Sequence, residues 1–444
     1  SGRAGTNWPA LQGRSVAISC DDRTRESNVP TEFERDRDSW IPREPGPFCM
    51  FPEKNNDEEE ELPDGDDFVP VDDDYDYCLR SPYHDRPCRL RGHKGCVAAL
   101  AWAPERAQVG GTAPLLASTS ADQSFAIWQL DEGGEDFQCI FSQSKQKGGL
   151  NDVSWSSDGS RIVVASDDKT LKVWDLEYQK VQGALRSHNG PVMTARFMDW
   201  SGGNGAKELV VSGGFDGDIR FCDSRSAKPL IRQLSHQEPV SAIAIHPSGQ
   251  DVVSADITGR VFAINLAEAL RSAFRHAETP FDSFTDAPLQ STIINSEQSE
   301  MRIARLDHRN EAITTLEYSW NGHWLLVYAT DGQADVICTG SCHAVSTIQT
   351  LNTRHLQHRA CIVSPPDDDG LWLALPRENC SVMVADASSG YTVDMLQPGI
   401  EDGHQMAFLA AAADSLGRFI AAGTNNAEDK EKGDIYIWSS THFN

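Results

Sequence analysis

The stretch LNDVSWSSDGSRIVVASDDKTLKVWDL, Leu150 to Leu176, constrains the fold of this chain more than any other. Leu150, Val153 and Trp155 mark a strand with one buried face. Ser157-Asp158-Gly159 reads as a tight turn, because an Asp side chain accepts a local backbone hydrogen bond and Gly tolerates positive φ. Arg161 to Ser166 is a second, apolar strand, and Asp167-Asp168-Lys169-Thr170 a second turn. Leu171 to Leu176 is a third strand that ends on Trp174-Asp175. The pattern is three short antiparallel strands, each joined to the next by a tight turn.

Worn copies of this unit recur at a spacing of roughly fifty residues. The first carries Gly92-His93, then Val97, Leu100, Trp102, Ser118, Asp122 and Trp128. In the second, the opening stretch, Lys145-Gln146 stands where Gly-His is expected. The third carries His188, Ser212 and Asp216, with Cys222-Asp223 in place of Trp-Asp. The fourth carries His236, Ser254, Asp256 and Ile264-Asn265; the fifth His308, Asp331 and Ile337. The sixth is the most worn, with His358 or His355 and Ala385-Asp386. The seventh has Gly403-His404, Ala421-Ala422-Gly423 and Ile435 to Trp438.

Through these Gly-His, turn-Asp and Trp-Asp signatures, residues 86–440 resemble the WD-repeat β-propeller family. The resemblance implies an all-β, seven-bladed WD-repeat propeller with an irregular acidic N-terminal extension. It also implies staggered closure, with Pro87 to Arg91 pairing beside Asp434 to Ser439, which removes free sheet edges. His188, Ser212 and Asp216 have the composition of a nucleophilic triad. A triad has no reason to recur, whereas a buried structural network does. The resemblance places His93, Ser118, Asp122 and Trp128 in one such network. It extends the same role to Ser166, Asp168, Trp174, His188, Ser212, Asp216, His236, Asp256, His404 and Trp438. Loss of the pattern in the fifth and sixth units predicts weaker blades there.

The implied strand order assigns loops to two faces. First-to-second and third-to-outer connections lie on one face, the bottom. Pro104–Pro114, Met198–Lys207, Pro365–Gly370 and Ala267–Glu300 fall there; Asn425–Gly433 falls on the top. Within the longest insertion, Leu266 to His276 has the spacing of a short helix, Thr279–Glu300 reads as loop, and Met301 to Leu306 as an outer strand. On the top face, Phe215 is an expected exposed aromatic anchor beside the channel. Lys94, Lys147, Asn189, Gln237 and Arg309 begin strands at that face. Two members of the family carry closer resemblances: the WD-repeat subunit of histone methyltransferase cores and the WD-repeat protein of the spliceosomal U5 particle. The first grips an arginine between aromatics. The matching positions here are Met193 and Val363, so that cage is absent.

Residues 1–85 lack the repeat pattern, and residues 441–444 form a short tail. Asp57 to Asp76 is a run of about a dozen carboxylates without a base, interleaved with Leu62, Phe68, Val69 and Tyr75. It suits either a solvated tail or an arm that docks on a basic client. The net charge of −27 argues against bare phosphate binding, so nucleic acid is at most a peripheral ligand. Eleven dispersed cysteines suit a reducing compartment. No apolar run approaches the ~20 residues of a membrane span, and Ser15–Cys20 is too short for a signal-peptide core. Ser1 in place of Met is the mark of a processed or incomplete N-terminus. No metal-ligand spacing, phosphate loop or cofactor motif stands out. The expectation is a non-catalytic, intracellular scaffold subunit, in nucleus or cytoplasm, that binds other proteins of a large complex. A spliceosome-like RNA-processing assembly comes first. A chromatin adaptor, or a cullin ubiquitin-ligase adaptor implied by the resemblance of Asp223-Ser224-Arg225 to the Trp-Asp-x-Arg motif of cullin substrate receptors, comes second, and a ribosome-assembly or chaperone factor third.

Overall fold

A computed structural model describes residues 81–84, 86–105, 113–131, 134, 136–186, 188–200, 207–223, 229–234, 236–265, 292–294, 300–301, 311–350, 356–365, 370–399, 406–426 and 433–441. The chain divides into two compact units, Ser1–Asp76 and Tyr77–Asn444. The first unit, with the whole acidic run, lies outside the described residues, as does the helix expected over Leu266–His276.

Seven separate sheets make up the second unit. Blade one is built from Val97–Trp102, Leu115–Ser120, Phe125–Leu130 and Phe137–Gln143. Blade two follows with Leu150–Trp155, Arg161–Ser166, Leu171–Asp175 and Lys180–Leu185. Blades three, four, five and six begin at Val192, Val240, Ile313 and Cys361. Blade seven takes three strands from the C-terminal end, Met406–Ala413, Phe419–Asn426 and Gly433–Ser439, and its outer strand, Cys88–His93, from the other end of the unit. The closing register is Cys88 opposite Ile437 and Arg91 opposite Asp434, as the resemblance implies. Ser81–His84, assigned by sequence to the irregular arm, are seated on this blade: Tyr83 is buried, bridges to Ser440 and donates its hydroxyl to Gly417 O at 3.0 Å.

The turns follow the chemistry read in the sequence. Asp158 accepts the Ser160 N–H at 3.0 Å, and Gly159 sits at φ 68°, where a side chain would strain. Buried apolar side chains gather between neighbouring blades. Phe125, Ile127, Trp155 and Trp174 fill the seam of blades one and two; Trp128, Phe137 and Phe419 fill that of seven and one. This is why strands that alternate in their own sheet carry apolar residues on both faces.

The insertions depart from expectation in three places. Met198–Trp200 continue the first strand of blade three and pair with Lys207–Leu209, so the connection begins later than Met198. Thr292–Ile294, read as loop, run parallel to Pro229–Leu234 as a fifth strand on blade three. The outer strand of blade four is Glu300–Met301, paired with Ile264 and Ala263, one residue earlier than read; 302–306 lie outside the described residues.

Candidate functional site

The His–Ser–Asp sets have the geometry of a proton relay. His188 Nδ1–H donates to Asp216 Oδ1 at 2.8 Å, and its Nε2 bonds Ser212 Oγ at 2.8 Å. Blade four repeats this: His236 lies 3.0 Å from Asp256 and 2.9 Å from Ser254. Ser212 and Ser254 are both 0% exposed, so neither hydroxyl can meet a substrate. These are paired buried polar groups that lock the outer-to-first connection onto the next turn. Burial raises the Asp216 carboxyl, but the bonds from His188 and the Asn189 N–H, with the charge of Arg220, outweigh it and hold the group down at about 2.

Blade one carries the fullest network. Ser118 Oγ bonds His93 Nε2 at 2.7 Å and accepts the Trp128 Nε1–H at 2.8 Å. His93 Nδ1 bonds Ser124 Oγ at 2.9 Å, Ser124 bonds Asp122, and Asp122 accepts the Lys94 N–H. Blade two does not form this network. Lys172 Nζ bridges Gln146 Oε1 and Asp168 Oδ2, Ser166 Oγ accepts the Asp168 N–H at 3.2 Å, and Trp174 Nε1 has no partner among the described residues. Without a histidine, a cation holds the turn aspartate instead. Trp438 also departs from expectation: its Nε1 is unpartnered among the described residues, and the ring packs between Phe408 and Tyr436. His404, His308 and Arg309 lie outside the described residues. His358 does not join a turn network. It is buried at the start of blade six, with Nδ1 2.7 Å from Phe408 O of blade seven.

The blades whose pattern is worn use other pairings. In blade five, Gln333 Nε2 donates to both Asp335 oxygens at 2.8 Å, and Thr347 Oγ1 donates to the same carboxylate at 2.6 Å.

The two faces differ in what they expose. On the top face, Phe215 is 53% exposed in the second-to-third turn of blade three, and Lys94, Lys147, Asn189 and Gln237 are exposed nearby in their connections. Met193 is half-buried, and Val363 is buried in the seam of blades six and seven; it does not face the channel. On the bottom face, Trp320 (75% exposed) and Leu416 (46%) sit in first-to-second turns of blades five and seven. Tyr391 (79%) and Tyr178 (65%) sit in third-to-outer turns of blades six and two. Three of these four belong to consecutive blades. Sequence reading missed them because a single apolar side chain in a turn carries no periodic signal.

The channel holds a charged cluster that the sequence did not reveal. Asp152, on the first strand of blade two, accepts Arg359 Nη1–H from blade six at 2.8 Å and Arg196 Nη1–H from blade three. Thr194 Oγ1 (2.9 Å) and the N–H groups of Ala195 (3.1 Å) and Val153 (3.0 Å) complete its shell. Burial raises the Asp152 carboxyl, yet the two guanidinium charges hold it below the usual carboxylate range. Glu317, from blade five, accepts the Ile362 N–H at 3.0 Å. Burial pushes its carboxyl up to about 7 against the opposing Ile362 bond and Arg196 charge. No group of three or more metal-ligating side chains occurs among the described residues. No helix among them is long and apolar enough to cross a membrane.

Residues 86–129 and 137–175 match the WD domain, G-beta repeat family. Among curated relatives, Protein Rae1 of Drosophila melanogaster is 31% identical over 136 residues, 30% of this chain and 36% of that protein. The ribosome biogenesis protein WDR12 homolog of Culex quinquefasciatus is 27% identical over 154 residues, 34% of this chain and 33% of that protein. The poly(A)+ RNA export protein of Schizosaccharomyces pombe is 25% identical over 221 residues, 48% of this chain and 57% of that protein. Each match thus spans less than two-thirds of the relative's length. The chain carries WD40 repeats, and its fold is an all-β, seven-bladed propeller.

Proposed function

We propose that this WD40-repeat propeller is a non-catalytic interaction scaffold in an RNA-related assembly, acting in the nucleus or cytoplasm, and that its main partner docks on the bottom face. The observation that carries the docking reading is the set of exposed aromatic and aliphatic side chains in the turns of blades five, six and seven. Trp and Tyr held out by tight turns make large anchors at small entropic cost, which is what a protein interface concentrates. The buried serines of the His–Ser–Asp sets support the non-catalytic reading. The RNA-related class rests on the names of two partial relatives, a ribosome biogenesis protein and a poly(A)+ RNA export protein. A spliceosome-like complex is the finer form of this proposal.

The test is affinity purification from cells of the parent chain, the triple variant Trp320→Asp/Tyr391→Asp/Leu416→Asp, and Phe215→Asp, with partners identified by mass spectrometry. RNA-processing or ribosome-assembly proteins should be recovered with the parent and Phe215→Asp and lost with the triple variant. If Phe215→Asp loses them and the triple variant keeps them, the docking face is wrong. Recovery of chromatin subunits or a cullin ligase instead would replace the RNA-related class.

A further inference from the structure

The channel cluster sets two guanidinium groups on one aspartate. The channel contains a cavity of about 420 Å³, lined by the first strands of all seven blades and running to Pro104, Ser157 and Asp199 at the bottom-face end. Its deep end is the Asp152 cluster. Asp152 is 2% exposed and already accepts five donors, so it is spent. The two guanidinium groups on it are not: the Arg196 side chain keeps 31% of its surface exposed and that of Arg359 keeps 20%. Arg196 uses Nη1 for Asp152 and for Ala195 O, and Arg359 uses Nη1 for Asp152 and Nη2 for Met193 O. A guanidinium has five N–H donors in a fixed fork, so donors remain on both groups. Two cations therefore share one ionised aspartate inside a chain of net charge −27. Much of the remaining wall is small or apolar, including Ala99, Ala411, Trp155 and Phe197, which leaves room for a side chain but no third cation to neutralise a dianion.

We propose that this cavity binds a single carboxylate of a partner peptide, entering from the bottom face and held by the free N–H edges of Arg196 and Arg359. At the deep end, where Asp152 is the carboxylate bonded to both guanidinium groups and Asp199 stands at the mouth, one ionised ligand carboxylate balances the charge that Asp152 leaves over, and a fork-to-carboxylate bond in a partly enclosed site is of the strong, charge-assisted kind. Glu317 sets the condition for binding. Arg196 from blade three and the Cys361 thiol from blade six bear on it, while Arg359 and Asp152 line the same cavity, with Asp199 nearer the mouth. Below about 7 Glu317 is neutral and the surplus charge stands; above it, Glu317 ionises and takes the ligand's place electrostatically. This inference rests on the scaffold reading, but it concerns the cavity and not the turn aromatics.

The test uses the full chain in isothermal titration with four probes. These are acetyl-Ala-Ala-Glu-Ala-amide, acetyl-Ala-Ala-Gln-Ala-amide, acetyl-tetra-alanine with a free C-terminus, and inorganic phosphate. At pH 6 at least one acid peptide is expected to bind at least tenfold more tightly than the Gln peptide; which one does so assigns an acidic side chain or a chain end as the source. Arg196→Met should weaken that acid peptide tenfold or more and leave the Gln peptide unchanged. The parent should lose several-fold affinity from pH 6 to pH 8, and Glu317→Gln should abolish that loss. Equal binding of acid and Gln peptides, preference for phosphate, or an unaltered pH profile in Glu317→Gln overturns the proposal. Because no partner protein enters the titration, failure here leaves bottom-face docking standing, and loss of docking in the purification leaves this site standing.

Discussion

Ser118→Ala and Ser212→Ala remove the same hydroxyl from equivalent positions, yet they should differ in cost about twofold. Ser118 Oγ bonds both His93 Nε2 and Trp128 Nε1, at 2.7 and 2.8 Å. Ser212 Oγ bonds His188 Nε2 at 2.8 Å and makes a long 3.5 Å bond to Arg220 O; Cys222 replaces the tryptophan. Both serines are fully buried, so water cannot take over either role. Each ring nitrogen left unsatisfied in the interior costs about 1–3 kcal/mol. The unpartnered Trp174 Nε1 of blade two shows that the fold bears one such group, which favours the lower half of that range. Ser118→Ala is then expected to cost about 2–4 kcal/mol and Ser212→Ala about 1–2 kcal/mol. For a unit running from Tyr77 to Asn444, an unfolding entropy of about 2.1 cal/mol/K per residue gives a drop in Tm of roughly 1.3 °C per kcal/mol. The melting temperature should fall by about 3–5 °C in Ser118→Ala and about 1–3 °C in Ser212→Ala. Scanning calorimetry with matched urea titrations measures both. Equal losses would show that the tryptophan bond contributes nothing. A loss under about 0.5 kcal/mol in Ser118→Ala would show that the network is not a source of stability at all.

Three further outcomes follow from the seams, the closure and the carboxylates. A Cβ added at Gly423 would lie 2.5 Å from Val97 Cγ1 across the seam of blades seven and one. Gly423→Ala is therefore expected to cost about 1–3 kcal/mol in a urea titration, while Gly340→Ala, with nothing within 4 Å, should be near neutral. Deleting residues 1–93 removes the strand Cys88–His93 and bares the edge of Gly433–Ser439, whereas deleting 1–76 does not. By light scattering the first truncation should aggregate and the second remain monodisperse; two monodisperse products would mean that closure does not depend on that strand. Asp216 is held down at about 2, so its stabilisation is present above the ordinary carboxylate range and is lost as pH falls toward 2. Asp216→Asn should be less stable than the parent at pH 6 and lose less between pH 4 and pH 2, read from urea midpoints; parallel pH profiles would exclude the linkage.

The seven-blade architecture was legible in the sequence because each strand and turn reports itself locally. Asp158-Gly159 makes a turn whatever surrounds it, and Val97, Leu100 and Trp102 mark an apolar strand before any neighbour is known. Local legibility misleads where one local pattern admits two tertiary solutions. The second repeat has the cleanest signature, yet its Trp174 stands outside any network, because the network needs a histidine delivered by the preceding connection and Gln146 arrives instead. His358 has acceptable spacing for a turn network, but it falls within the seam of blades six and seven, where Phe408 O claims it.

The channel cluster illustrates a deeper limit. Asp152, Arg196, Glu317 and Arg359 come from four blades, and Asp152 and Arg359 are 207 residues apart. Nothing in a repeat of about fifty residues links them. A propeller brings one position of every first strand to a common axis, so side chains that look like isolated departures from an apolar pattern meet there. Asp152 in particular replaces a position that is Ala99 in blade one and Ala242 in blade four by strand register. A buried aspartate among equivalent alanines and threonines carries a desolvation penalty that its own blade does not offset; the arginines of blades three and six do. Such a departure is the signal to seek when reading repeat sequences: a charge at a register position that blades one, four and seven fill with alanine and blades three and five with threonine requires a partner across the axis. Here it finds two cations, and the second leaves a surplus charge for a ligand to answer.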